Sequence, residues 1–255
     1  MRINVIGSGY MGKQITSLLS IIGFDILLWQ KNDNSLSDRL NNQIKLLERI
    51  LRVKSKGSIN ITNKLSKLEN NITIETVVEN LKIKKEILEN LNFKENIYSN
   101  TSSLKLSKIG ENINGFHFMN PISIKIIELC KVNSFSEEKL QILINELKKI
   151  SYQIFNVKDS PGYIVNKILF MDVSFFFYLI EVEKMNVVEV KKIYFSELKK
   201  FDPIKIINLI GTDTCLQILE NLSKYDSRYY VPKLLKKSID LKIFGNKNKT
   251  KFEVL

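Results

Sequence analysis

A glycine-rich loop near the amino terminus constrains the fold of this chain more than any other feature. Gly7, Gly9 and Gly12 form a Gly-x-Gly-x-x-Gly pattern directly after a β-favouring run at residues 3–6. The first glycine permits a tight turn, the second lets the backbone approach a pyrophosphate, and the third lets a helix pack on the strand. The pattern therefore predicts a dinucleotide-binding strand–loop–helix unit, with Tyr10 and Met11 also beside the ligand.

The residues after the loop continue this unit. Apolar residues recur at helical spacing: Met11, Ile15, Leu18, Leu19 and Ile22. Gly23 is placed as the stop of this helix, and residues 26–29 form a second β-favouring run. The amino-terminal end of such a helix supplies amide donors and a positive dipole to an anion. Strand, loop, helix and strand thus follow in the order that a dinucleotide site requires.

The residue at the end of the second predicted strand bears on the choice of cofactor. An Asp or Glu is expected there, because its carboxylate accepts hydrogen bonds from the ribose of the adenosine. This chain has Gln30, followed by Lys31. An amide can still bond to a ribose but lacks the charge that repels a 2′-phosphate. NAD is the expected cofactor, and NADP stays open.

Strands and helices alternate through the amino-terminal half. The predicted elements are a helix at 36–51 that Gly57 would end, strands at 59–62, 72–74 and 97–99, and a helix at 81–91. This alternation predicts a Rossmann-type, doubly wound, mostly parallel α/β sheet. Ligands of such sheets bind beyond the carboxyl ends of the strands, so residues 100–103 should face the cofactor.

The pattern changes near residue 159. A predicted helix at 137–150 and strand at 152–157 are followed by Pro161 and Gly162, beyond which the chain has a helical pattern. We expect a Rossmann domain at 1–158 and a smaller all-helical domain at 159–255. The most apolar segment, residues 168–180, contains Asp172 and is too short to span a bilayer, so a buried or interface helix is expected.

Composition limits the partners. The formal net charge is +12, but the lysines are scattered and no RNA-binding aromatic motif occurs, so neither nucleic acid nor membrane is an expected partner. Cys130 and Cys215 lie far apart, without the spacing of a disulfide framework or a metal site. The first residues lack an export leader, which favours a cytoplasmic protein.

His117 is the only histidine of the chain. Histidine alone changes charge near neutral pH without special tuning, so a solitary imidazole is the natural candidate for a general base. The alternative is a structural or surface histidine. Glu128 stands among apolar residues on a probable strand, where an unpaired charge would be costly.

Five ordered segments resemble the L-3-hydroxyacyl-CoA dehydrogenase family. They are residues 7–12, 75–84, 100–104, 115–121 and 159–167, with fainter similarity at 202–213, 230–232 and 244–247. The resemblance implies a cofactor domain followed by a helical domain that binds substrate and forms a homodimer. The phenylalanines at 175–177 are expected to pack at that dimer face.

The resemblance also implies roles for individual residues. His117 matches the base that takes the 3-hydroxyl proton while hydride leaves the same carbon for the nicotinamide, and Glu128 matches the carboxylate that orients this imidazole. Ser102 and Asn166 match the polar groups that hold the substrate oxygen and the nicotinamide. Without the resemblance, Ser102 could cap a helix and Asn166 could be an exposed helix residue. The residues that match a cofactor lining are Glu79, Lys84 and Asn100.

The sequence therefore predicts an enzyme that transfers hydride between L-3-hydroxyacyl-CoA and NAD to give 3-oxoacyl-CoA, as in fatty acid β-oxidation or hydroxybutyryl-CoA metabolism. A dehydrogenase of free hydroxy acids and a catalytically silent NAD-binding homologue are the alternatives. The spacing between His117 and Glu128 is one residue shorter than is usual in the family. Either the loop between Pro121 and Ile126 absorbs this difference, or Glu128 is displaced.

Overall fold

The computed structural model describes residues 1–31, 36–54, 56–133, 137–196 and 200–254. The chain divides into two compact units, Met1–Ser160 and Pro161–Leu255. The division falls two residues after the boundary expected from the sequence, at the proline and glycine that interrupt the pattern.

The first unit is built on one eight-stranded sheet. Its strands are β1 Arg2–Ile6, β2 Asp25–Trp29, β3 Ile59–Thr62, β4 Thr73–Glu75, β5 Ile97–Ser99, β6 Ile113–Phe118, β7 Ile126–Cys130 and β8 Gln153–Asn156. The spatial order is β3-β2-β1-β4-β5-β6-β7-β8. Strands β1 to β6 are parallel, β7 is antiparallel to β6, and β8 is parallel to β7. The predicted Rossmann-type, mostly parallel sheet is confirmed.

Helices connect these strands. They are α1 Tyr10–Ile21, α2 Leu36–Leu51, α3 Leu81–Glu89, α4 Leu106–Ile109 and α5 Glu137–Lys149. Strands β2 and β3 lie on one side of β1, whereas β4 and the strands after it lie on the other side. The carboxyl end of β1 is therefore the point where strand order reverses, which is where sheets of this kind bind ligands.

Burial explains the position of α1 and β1. Ile3 and Val5 of β1 and Leu18 and Leu19 of α1 are fully buried in one apolar core. At about 25 cal/mol per Å² of apolar surface removed from water, such burial stabilises the strand–helix pair strongly. It also fixes the loop between them, because both of its ends are anchored.

The predicted helix at 36–51 is present, but Gly57 is not the residue that ends it. The helix ends at Leu51 rather than near Gly57, because Arg52 has the left-handed φ of 56° that terminates a helix. Gly57 serves a packing purpose. A Cβ at this position would lie 2.0 Å from the carbonyl oxygen of Phe24, and its N–H donates to the carbonyl oxygen of Ser20 at 2.9 Å.

The second unit is helical, as expected. Its helices are α6 Val165–Glu181, α7 Val187–Phe195, α8 Pro203–Ile210, α9 Thr212–Ser223 and α10 Lys233–Asp240. Phe170, Phe176 and Phe177 of α6 are buried in the core of this unit, whereas Phe175 is 51% exposed. No helix in the described ranges has the length and apolar character needed to cross a membrane.

Candidate active site

The glycine loop has the geometry that the sequence predicts. Gly7 adopts a φ of +106°, and a Cβ on Gly12 would lie 1.9 Å from the carbonyl oxygen of Gly7. The space around Gly9 is open, since a Cβ there would meet no heavy atom within 4 Å. Gly9 is also the N-cap of α1, and no side chain caps the helix at this end. The loop is therefore closed where helix meets strand and open where a pyrophosphate would approach.

Thr76 holds this loop from the neighbouring strand. Its Oγ1 lies 2.9 Å from the carbonyl oxygen of Ile6 and 3.1 Å from that of Gly7. No local pattern singles out this threonine, because its contact with Gly7 joins residues 69 positions apart in the chain. Its position directly after β4 is the signal that points to it.

A cleft of about 510 Å³ opens beside the loop. Its lining within the described residues is Gly7, Ser8, Gly9, Trp29, Lys31, Leu65, Thr76, Val77, Val78, Ile83, Glu86, Ile87 and Asn90. Most of these residues follow the carboxyl ends of β1, β2 and β4. The apolar ones form walls suited to an adenine ring, and the glycines leave backbone amides for its phosphates. The residues present therefore fit a dinucleotide.

Seven residues expected at the cofactor do not appear in this lining. Tyr10, Met11 and Gly12 lie in the first turn of α1, and the other four are Gln30, Glu79, Lys84 and Asn100. Gln30 continues β2, with its N–H donating to the carbonyl oxygen of Thr62 at 2.9 Å. The side chain of Asn100 accepts a hydrogen bond from the backbone N–H of Phe118 at 2.8 Å. Asn100 thus ties the end of β5 to the residue after His117.

Lys84 lies in a buried ion-pair cluster. Its Nζ is 2.8 Å from Oε1 of Glu75 and 3.4 Å from Oε2 of Glu79. The side chains of Lys84 and Glu75 are 1% and 0% exposed. Burial opposes the charge on Lys84, but the two carboxylates outweigh it and raise the pKa of the ammonium group. In this structure the charge of Lys84 compensates two carboxylates of its own domain.

Glu79 in turn organises the loop after β5. Its Oε1 accepts hydrogen bonds from the backbone N–H groups of Ser102 and Ser103 at 2.9 and 2.8 Å, and from the hydroxyl of Thr101 at 2.7 Å. Burial alone would raise the pKa of this carboxyl. The charge of Lys84 and the hydrogen bonds prevail and lower it. A charged Glu79 therefore fixes the backbone that carries Ser102.

His117 and Glu128 form a hydrogen-bonded pair. They are directly opposite in the antiparallel register of β6 and β7, and Nδ1 of His117 lies 2.9 Å from Oε2 of Glu128. Their side chains are 7% and 1% exposed. The shortened connection between the strands has therefore not displaced the carboxylate. A bond to Nδ1 fixes the tautomer of an imidazole and stabilises its cation.

The parallel strands bring several of these groups to one edge of the sheet. The glycine loop follows β1, Glu79 follows β4, Ser102 follows β5, and His117 is the penultimate residue of β6. Asn166 belongs to the second unit, where it lies in the first turn of α6 and is buried. Within the described ranges, no group of three His, Cys, Asp or Glu side chains is arranged to hold a metal ion.

Comparison with known proteins identifies the fold and the family. The family described as 3-hydroxyacyl-CoA dehydrogenase, NAD binding domain, matches residues 2–160, which is more than half of the chain. The chain belongs to the 3-hydroxyacyl-CoA dehydrogenase family. The cofactor inferred from the glycine loop, NAD, is the one this domain binds, and the family activity is the NAD-dependent oxidation of a 3-hydroxyacyl-CoA.

Full-length relatives of this dehydrogenase chain extend the match into the helical unit. The 3-hydroxybutyryl-CoA dehydrogenase of Bradyrhizobium diazoefficiens is 26% identical, over 98% of this chain and 94% of its own. The probable 3-hydroxybutyryl-CoA dehydrogenase of Bacillus subtilis is 28% identical, over 97% of this chain and 94% of its own. The crystal structure of (S)-3-hydroxybutyryl-CoA dehydrogenase from Ralstonia eutropha has the same fold, with a TM-score of 0.76, 22% identity and 99% coverage of both chains.

Proposed function

We propose that this member of the family oxidises an L-3-hydroxyacyl-CoA to the 3-oxoacyl-CoA, with His117 as the general base. The observation that carries the proposal is the buried His117–Glu128 pair at the sheet edge that also holds the glycine loop. Oxidation of a secondary alcohol needs a base within reach of the hydroxyl and a group that orients the base. When bound, NAD supplies the hydride acceptor.

The dyad assigns the two imidazole nitrogens different tasks. Because Nδ1 faces the carboxylate of Glu128, Nε2 is the nitrogen that takes the proton of the 3-hydroxyl group. The negative charge of Glu128 stabilises the imidazolium that results. In the reverse direction the same Nε2 returns the proton to the substrate oxygen.

Ser102 and Asn166 complete the proposed site. The hydroxyl of Ser102 would donate to the substrate oxygen, from a backbone that the carboxylate of Glu79 holds in place. The amide of Asn166, at the start of α6, would contact the substrate and the nicotinamide. Glu79, Lys84 and Asn100 would then act by positioning the site. On this assignment residues 1–158 bind NAD and residues 159–255 bind substrate.

Acyl-CoA is the proposed substrate and the second unit the proposed dimer face. The formal net charge of +12 favours a ligand that carries several phosphates. The relative from Bradyrhizobium diazoefficiens is named a 3-hydroxybutyryl-CoA dehydrogenase and that from Bacillus subtilis a probable one. On α6 and just before it, Ile164, Ile168 and Phe175 are 51%, 64% and 51% exposed at helical spacing. An exposed apolar stripe of this kind fits a homodimer interface. Both cysteines are free, which fits a reducing cytoplasm.

Turnover of acetoacetyl-CoA tests the proposal directly. The purified chain should oxidise NADH in the presence of acetoacetyl-CoA, and His117→Ala should lower the rate by roughly a hundredfold or more while NAD still binds. Glu138→Ala, on the exposed side of α5, is the control and should keep the wild-type rate. No turnover by the folded wild-type chain with either NADH or NADPH would disprove the proposed activity.

A further inference from the structure

We infer that the nucleotide cleft accepts NADP(H) as well as NAD(H), with Lys31 binding the 2′-phosphate. The inference rests on the proposed function and concerns the end of β2. Gln30 extends this strand by donating its N–H to the carbonyl oxygen of Thr62 at 2.9 Å. This is the position from which an acidic side chain selects a ribose that carries no phosphate.

An amide at this position changes the electrostatics of the site. A carboxylate would repel a 2′-phosphate, which carries close to two negative charges, whereas the side chain of Gln30 is neutral. Because Gln30 adds no negative charge at the end of β2, it removes the repulsion without having to contact the phosphate itself. The carboxylate that disfavours NADP in other dinucleotide-binding domains is thus replaced here by an amide that tolerates both cofactors.

Lys31 adds a positive charge next to this amide. It is exposed and lines the same cleft as Gly7 and Gly9. An ammonium group offers three donors to a phosphate, and charge-assisted bonds of this type are among the stronger ones in proteins. Trp29, the last residue of β2, lines the same cleft, but its indole N–H is buried, so the donor exposed at this strand end is Lys31.

The negatively charged residue of the cleft, Glu86, lies on a different element from Lys31. Among the described residues that line the cleft, the charged ones are Lys31 and Glu86. Glu86 is on α3, which follows β4, whereas Lys31 follows β2, and β1 separates these two strands in the sheet. The strand end that receives the ribose therefore presents the positive charge of Lys31.

Calorimetric titration of the full chain with NAD⁺, NADP⁺, AMP and adenosine 2′,5′-bisphosphate tests the inference without turnover. We expect both dinucleotides to bind, and the bisphosphate to bind more tightly than AMP. Lys31→Gln should weaken NADP⁺ and the bisphosphate by roughly tenfold or more, the scale of one charge-assisted bond, with little change for NAD⁺ and AMP. Gln30→Asp should weaken the same two ligands. Lys148→Gln, which removes an exposed charge on α5, is the control.

Each other result has a defined meaning. Binding of NAD⁺ without NADP⁺ would overturn the inference and leave the proposed function intact. Equal weakening of all four ligands by Lys31→Gln would overturn the role of Lys31 as the 2′-phosphate contact. If neither dinucleotide bound to the folded protein, the inference and the proposed function would fail together.

Discussion

Nδ1 of His117 and Oε2 of Glu128 lie 2.9 Å apart across the only antiparallel pairing of the described sheet. The strands place the two residues opposite each other, so the bond does not depend on the course of the loop between them. Since Glu128 is 1% exposed, the hydrogen bond to this imidazole is one of the contacts that replace water around its carboxylate.

Glu128→Gln should therefore slow turnover with little loss of structure. The amide can still accept a hydrogen bond from Nδ1 but does not stabilise the imidazolium, so we expect kcat to fall roughly a hundredfold. Steady-state kinetics with acetoacetyl-CoA measures this, together with circular dichroism to verify folding. Glu138→Gln is the control. A wild-type kcat in Glu128→Gln would remove the carboxylate from the mechanism.

Alanine at Gly12 should destabilise the fold, whereas alanine at Gly9 should weaken NAD binding. At Gly12 the new Cβ would collide with the carbonyl oxygen of Gly7, at 1.9 Å, so we expect a loss of roughly 1–3 kcal/mol in the free energy of unfolding. At Gly9 the space is open and stability should be unchanged, whereas NAD binding should weaken because the methyl group occupies the pyrophosphate approach. Urea unfolding and calorimetry separate the two effects. Equal stability of both variants would contradict the packing argument.

Lys84→Met should be strongly destabilising. It leaves the carboxylates of Glu75 and Glu79 without their shared cation, and removal of one partner from a buried ion pair costs about 3–5 kcal/mol. Lys85→Met, on the exposed face of the same helix, is the matched control and should stay near wild type. Urea unfolding of the two variants gives the comparison. Similar midpoints would show that Lys84 does not stabilise the pair.

Glu79 should make stability depend on acid pH. Its pKa in the folded protein lies below the ordinary value of 4.5, so the unfolded chain binds the proton more readily. The stabilisation is present above pH 4.5 and declines as the pH falls through the lowered pKa. The difference in unfolding free energy between wild type and Glu79→Gln should shrink over this range. A difference independent of pH would contradict the assignment of the charge to Glu79.

The two thiols should be unreactive in the native protein. Burial, aided by the charge of Asp159, raises the pKa of Cys130 to about 11, and burial raises that of Cys215 as well. At pH 7 the thiolate fraction of Cys130 is then roughly a hundredfold below that of an ordinary thiol. Alkylation followed by mass spectrometry should modify neither residue before unfolding and both after it. Rapid labelling of the native chain would contradict this.

The amino-terminal third of the fold could be predicted because its signals are local. The glycine pattern, the helical spacing after it and the apolar runs at 3–6 and 26–29 each depend on neighbouring residues. The same kind of reasoning wrongly assigned the end of α2 to Gly57. Gly57 is required by a close approach to Phe24, more than thirty residues away, and sequence spacing cannot show that contact.

The candidate site likewise contains residues that the sequence points to and contacts that it cannot show. His117 stands out in the sequence as the single imidazole, and the resemblance selects Glu128, Ser102 and Asn166, whose roles stay predictions. The burial of Lys84 between two carboxylates could not be foreseen, because a lysine on a helix is usually solvated. Its environment arises only when α3 packs beside β4.

The pairing of β6 with β7 determines which mutations would separate His117 from Glu128. The strand pairing itself holds His117 opposite Glu128, with a connection at residues 119–125 that is one residue shorter than is usual in the family. A shift of either strand by a single residue would instead turn one side chain to the opposite face of the sheet and break the pair. The hairpin thus concentrates the sensitivity of this pair to mutation in its two strands.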